Sequence, residues 1–132
     1  MNRLITLTIW VFVAGVPFAE GAKPFTAVKN DKGVQEVEMT ATSYSFSPAK
    51  IIVQVGVPVE LIITKSGMTP HNFTIGDSAS GLEIKQKLSS SEPVRIVFTP
   101  EKKGEFTFFC SVKLPFAKSH RDKGMQGVLV VE

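Results

Sequence analysis

The side chains able to do chemistry in this chain are few. There is one cysteine, Cys110, and there are two histidines, His71 and His120, in 132 residues. Cys110 ends the stretch GEFTFFC, and His120 lies beyond a nine-residue spacer in SHRDKG. Met125 follows in GMQGV, and His71 stands well upstream in TPHNFTI. A thiolate, two imidazoles and a thioether are soft or borderline donors, and as a set they suit copper better than other common metals. Two histidines and a cysteine in a trigonal arrangement, with a long axial methionine, make a blue-copper electron-transfer centre. Thiolate holds Cu(I) well and mixes strongly with Cu(II), and imidazoles suit both states. A weak thioether leaves the geometry nearly unchanged on reduction, so moving an electron costs little rearrangement.

Taken singly, each residue has a plainer reading. His71 is a surface or capped histidine at a strand start. Cys110, in series with Phe106 and Phe108, is a small core residue, and Met125 fills a gap under a loop. His120 is solvated loop. The four become a site only if the fold brings them to one place.

The cysteine count is informative. The chain opens with Met1-Asn2-Arg3 and an apolar run of about thirteen residues, shorter than the ~20 needed to cross a bilayer. Small residues at Ala19 and Gly21 then complete the layout of a secretory signal peptide over residues 1–21. An uncleaved amino-terminal anchor is the alternative. Exported small domains use cysteines in pairs, so a lone one pairs between chains, stays oxidisable, or binds a metal. Removal of residues 1–21 takes away Arg3 and Glu20, one charge of each sign, and the balance stays at +3. No basic stripe interleaved with aromatics is present, so nucleic acid is not an expected partner. Composition is that of an ordinary globular chain long enough for one self-sufficient core.

Residues 22–33 (AKPFTAVKNDKG) read as a linker or edge segment ending in a turn. From residue 34 a domain runs to 132. Val37, Met39 and Ala41, then Tyr44 and Phe46, alternate with polar neighbours up to Ser47-Pro48. Further runs at 51–55, 59–63, 71–75, 94–98, 106–110 and 128–131 are separated by Gly, Pro and Ser. Period-two alternation in short runs with this punctuation predicts about seven strands in an all-β sandwich. Residues 77–91 read as an insertion with room for a helical turn or two at 82–88. In such a body His71 begins a strand, Cys110 ends one, and His120 and Met125 lie in the connection to the last strand. All four can reach one end, where loops on a rigid scaffold carry function.

With these motifs set out, the chain resembles the small blue copper proteins, the cupredoxins. The matching residues are Ser47-Pro48 after Phe46, the Val55-Gly56 turn, His71-Asn72-Phe73, the stretch GEFTFFC ending at Cys110, and His120 with Met125-Gln126-Gly127. The resemblance covers residues 36–132 and keeps the family's order of His, Cys, His, Met. It implies a Greek-key β-sandwich, one copper ion held by His71, Cys110, His120 and axial Met125, and a hydrogen-bonding role for Asn72 in tying the metal loops together. It also implies a one-electron carrier rather than an enzyme. The nine-residue spacer between Cys110 and His120 departs from relatives in which two to four residues separate these ligands. Such a loop cannot hold the histidine by tautness.

The spacer region is basic: Lys113, Lys118, Arg121 and Lys123 stand against Asp122, with Lys65 a candidate neighbour. A solvated loop is one reading. A positive ring that steers an acidic redox partner, a cytochrome or an oxidase, is the other. The expected protein is a monomer, periplasmic or extracellular, with no stable membrane span once the signal is removed. A carrier delivering Cu(I), with Met68 or Met39 as extra thioethers, is the competing function, and a metal-free partner-binding sandwich is a third. A Cys110/His120 nucleophile pair lacks an evident orienting group, and two histidines are too few for a multicopper oxidase.

Overall fold

A computed structural model describes residues 23–132; the expected signal peptide lies outside the described residues. Ten strands form: β1 (Phe25–Thr26), β2 (Gln35–Thr42), β3 (Ser45–Ser47), β4 (Lys50–Val53), β5 (Val59–Lys65), β6 (Asn72–Ile75), β7 (Ile84–Lys87), β8 (Val94–Phe98), β9 (Gly104–Phe109) and β10 (Gln126–Val131). They make two sheets, ordered β1-β4-β10-β9-β6-β7 and β3-β2-β5-β8. The alternation read from the sequence is the burial pattern of the strands. Along β2 every second residue is buried, and β9 and β10 bury Phe106, Phe108, Leu129 and Val131 toward the opposite sheet.

Three strands go beyond the sequence expectation. The single run through Tyr44 and Phe46 is broken by a tight turn at Ser43-Tyr44, which separates β2 from β3. Within residues 22–33, Phe25 and Thr26 pair parallel with Ile51 and Ile52. Residues 82–88 are not helical. A 3-10 turn at Ser78–Ser80 ends at Gly81, whose φ of 69° is left-handed. The chain then pairs antiparallel with β6, Asn72 opposite Lys87. Strand β6 would otherwise leave one row of backbone donors and acceptors unpaired, and the IKQK segment satisfies them. That demand comes from the sheet, and the segment's own exposed side chains gave no sign of it.

The core is a slab between the sheets, and its aromatic part lies beneath one end. Phe46, Phe73 and Phe108 stack or meet edge-on with ring centroids 5.2–5.8 Å apart. Aromatic groups packed this way gain about 0.5–1.5 kcal/mol per pair beyond their burial. They make a stiff floor for the residues just past β9 and just before β6. Gly127, opposite Phe108 in the ladder, has no room for more than a hydrogen: a Cβ there would run into the Phe108 ring and the Ala49 carbonyl. Among the described residues, no helix is long and apolar enough to cross a membrane.

Candidate metal centre

The four donors arrive from three directions. His71 immediately precedes β6, Cys110 immediately follows β9, and Met125 immediately precedes β10. The ladder between β9 and β10 continues one step past the strands, with the Cys110 N–H donating to the Met125 carbonyl at 3.0 Å. Cys110 and Met125 are therefore cross-strand neighbours on the same face, where side chains lie close together. Both are fully buried. His120 comes from the connecting loop, and His71, Cys110 and His120 place their ligand atoms within 4.8 Å of one another.

The spacer does not leave His120 loose. Its backbone N–H donates to the Val112 carbonyl at 2.9 Å, and its carbonyl accepts from the N–H of Met125 at 3.0 Å. Residues 113–119 are thereby pinched off as an excursion, and His120 sits in a turn whose two ends are tied to Val112 and Met125. Ser119 Oγ accepts from the Asp122 N–H at 3.1 Å and closes that turn further. Hydrogen bonds do the work that tautness does in a short loop. His120 is 1% exposed rather than a solvated loop residue.

Asn72 performs the tying role that the resemblance implied. Its Nδ2 donates to Ser111 Oγ and its Oδ1 accepts from the Ser111 N–H, each at 2.8 Å. Its Oδ1 also accepts from Thr74 Oγ1 at 3.1 Å. The residue after one donor is thus bolted to the residue after another. The Asn72 backbone N–H donates to Cys110 Sγ at 3.4 Å.

The cluster itself fits a small ion. Nδ1 of His71 and Nδ1 of His120 are 3.2 Å apart, and Cys110 Sγ is 3.9 Å and 3.6 Å from them. A point equidistant from three atoms so placed lies about 2.1 Å from each, within the ~2.0–2.3 Å range of nitrogen and thiolate bonds to a first-row metal. Both imidazoles are held below the ordinary histidine range. For His71 the value falls to about 4, first through burial, then through His120 and Lys65. Burial, then Lys123, lowers His120. Neutral imidazoles whose Nδ1 atoms face a cysteine sulfur are a ready donor set, because metal and proton compete for the same lone pairs. A metal on Nδ1 puts the His71 ring proton on Nε2, which is buried without a hydrogen-bond partner. That costs affinity, by the desolvation of one N–H.

Two neighbours escaped the sequence reading. Tyr44, from the β2–β3 turn, meets His120 edge-on at 5.0 Å between centroids and His71 at 6.5 Å. Lys123 Nζ lies 4.2 Å from the centre of the same ring. The outer side of the histidine pair is thus roofed by an aromatic ring carrying a cation, and His120 offers no bare edge to solvent. Being the only tyrosine in the chain was the one available signal. Lys65, the candidate neighbour of the basic spacer, is 8% exposed, and its Nζ donates to the Thr69 carbonyl at 2.8 Å. Arg121 lies over Phe109 at 4.2 Å. Met39 is sealed in the core and Met68 is 94% exposed, so the structure gives no additional thioether donor from Met39.

Comparison with known proteins bears on the fold and the family. The family model of the cupredoxin-like domain matches residues 4–131. A search of curated proteins gives no match. Among solved structures, the metal-binding domain of the Cu(I)-exporting P-type ATPase CopA of Streptococcus pneumoniae D39, with Cu(I), is 20% identical. It superposes with a TM-score of 0.65 over 85% of this chain and 98% of that one. A copper-binding protein in its apo form, solved in solution, is 23% identical with a TM-score of 0.66, over 85% and 100%. Auracyanin A, a blue copper protein of Chloroflexus aurantiacus, is 21% identical with a TM-score of 0.58, over 76% and 100%. At these identities the likeness concerns the fold. The chain belongs to the cupredoxin-like family, and its buried cluster of two histidines, cysteine and methionine fits one copper ion in a blue copper site.

Proposed function

We propose that the protein is an exported one-electron carrier, working in the periplasm or outside the cell between redox proteins. The observation that carries this reading is preorganisation. Two Nδ1 atoms and a sulfur stand 3.2–3.9 Å apart, close enough to share one ion. They are backed by the Asn72–Ser111 bonds and by the aromatic floor. Donors that hold their places in both oxidation states minimise the rearrangement that slows electron transfer. Copper bound there would supply the Cu(I)/Cu(II) couple. His71, Cys110 and His120 would hold it, with the buried Met125 thioether as a fourth donor. Enzymatic activity is not part of the proposal; the three donors are at most 1% exposed, which supports electron transfer over direct substrate binding.

Delivery of Cu(I) to an acceptor is the second reading, supported by the fold likeness to the CopA metal-binding domain. The two part on one measurement. Copper-loaded protein is cycled repeatedly between ferricyanide and ascorbate, then held with a metal-free copper acceptor. A carrier of electrons gives an intense band near ~600 nm in the oxidised form, keeps its copper through the cycles and loses none to the acceptor. Rapid transfer of Cu(I) to the acceptor would overturn the electron-carrier reading in favour of delivery.

A further inference from the structure

Residues 113–119 hold no donor and form no strand, yet they carry the most conspicuous apolar group among the described residues. The ring of Phe116 is fully exposed, and Leu114 beside it is 41% exposed. The backbone of Phe116 has φ of 60°, the only positive value outside glycine among those residues. The Ala117 N–H donates to the Leu114 carbonyl at 3.3 Å. With Pro115 second and a positive φ third, 114–117 is a type II turn, whose third position ordinarily belongs to glycine. Phenylalanine there is disfavoured twice, by a left-handed backbone and by a large ring left in water. Among the described residues no contact compensates for either cost, because none of them covers the ring.

Charge surrounds it on one side of the ledger only. Lys113 and Lys118 flank the turn, both exposed, and no carboxylate occurs between Cys110 and Asp122. Arg121 and Lys123 lie over the rings of Phe109 and Tyr44, which leaves Lys113 and Lys118 as the outward cations of the excursion. The pinch between His120 and Val112 joins this tip to the donor residues through a few bonds.

We propose that Phe116 is a docking anchor, and that the 113–118 turn inserts its ring into an apolar socket on an acidic protein while Lys113 and Lys118 meet the carboxylates around that socket. The inference rests on the electron-carrier reading and names the surface by which the carrier engages its partner. A buried aromatic anchor within a charged rim is how compact interfaces concentrate their energy, and the lysines raise the encounter rate. A lipid surface fits less well. Polybasic segments that hold anionic bilayers carry four to eight cations, and this turn has two. A second copy of the chain would bring like charges together.

The test uses copper-loaded protein and gold coated with a mixed monolayer of methyl- and carboxylate-terminated thiols, a stand-in for an acidic surface with apolar spots. Mass uptake and voltammetric current are read separately. Phe116→Gly is expected to weaken uptake on the mixed layer roughly tenfold while matching wild type on a pure carboxylate layer. Lys113→Gln with Lys118→Gln weakens uptake on both. Glycine suits the positive φ, so the urea midpoint of Phe116→Gly stays equal or rises, which separates docking from folding. Equal uptake of wild type and Phe116→Gly on the mixed layer overturns the proposal. So does Phe116-dependent binding to phosphatidylglycerol vesicles, or Phe116-dependent dimerisation. Uptake in the expected pattern with no copper current supports the anchor and refutes the electron-carrier reading, so the two failures are distinct.

Discussion

Acidifying the metal-free protein should destabilise it for a reason lodged in its two imidazoles. His71 is 1% exposed and its pKa is lowered to about 4 from an ordinary 6.5. In the unfolded chain it binds a proton as pH drops through 6.5, and in the folded chain it resists until about 4. Between those values the unfolded state holds more protons, so stability falls as pH falls. The contribution is whole above pH 6.5, drains through the interval, and is exhausted below about 4. A shift of that size corresponds to about 3 kcal/mol at 1.36 kcal/mol per unit. His120 is lowered too and acts in the same direction. Urea unfolding of the metal-free protein at pH 7.5, 5.5 and 4 reads this directly. With a slope of ~1–1.5 kcal/mol per molar for a chain of this size, the midpoint should drop by about 2–3 M. His71→Gln, which cannot titrate there, should flatten much of the dependence. A midpoint that stays constant between pH 7.5 and 4, or one that falls identically in wild type and His71→Gln, would show that burial of this imidazole is not what sets acid stability.

Two further predictions concern residues around the donors. Asn72→Ala removes both links to Ser111 and the one to Thr74. It should cost about 2 kcal/mol and speed copper loss to a chelator; an off-rate like that of wild type would mean the loops are held by other bonds. Lys65→Met removes a buried ammonium whose charge bears on His71. With a thiolate bound, Cu(II) leaves a net positive centre and Cu(I) a neutral one, so this fixed cation disfavours the oxidised form. Its loss should lower the reduction potential by roughly 60 mV, the value of a tenfold change in relative Cu(I)/Cu(II) affinity for one electron. Spectroelectrochemical titration measures it, and a potential that rises or stays put would contradict the assignment.

Much of the architecture was legible because half-buried strands write themselves as alternation. The runs at Val37-Met39-Ala41, Val59-Leu61-Ile63 and Phe106-Phe108-Cys110 show inward residues at every second position. The edge strand Ile84–Lys87 was not legible. It satisfies the backbone of β6, and beyond the half-buried Ile84 its side chains face water. The break at Tyr44 was hidden because the apolar rhythm continues across the turn into Phe46.

For the site, the sequence alone determined the donor types, their order along the chain and their positions at strand ends. Those are properties of residues and local pattern, and they suffice to name the metal. Only the tertiary structure decided that His71, Cys110 and His120 converge, because convergence depends on which strands are neighbours: β6 beside β9 and β9 beside β10. It also decided that His120 is buried under Tyr44 and that the nine-residue spacer is pinched at Val112, leaving Phe116 in water. A spacing counts residues between two ligands. The hydrogen bonds that shorten that path, and the ring that closes over it, come from parts of the chain far away in sequence.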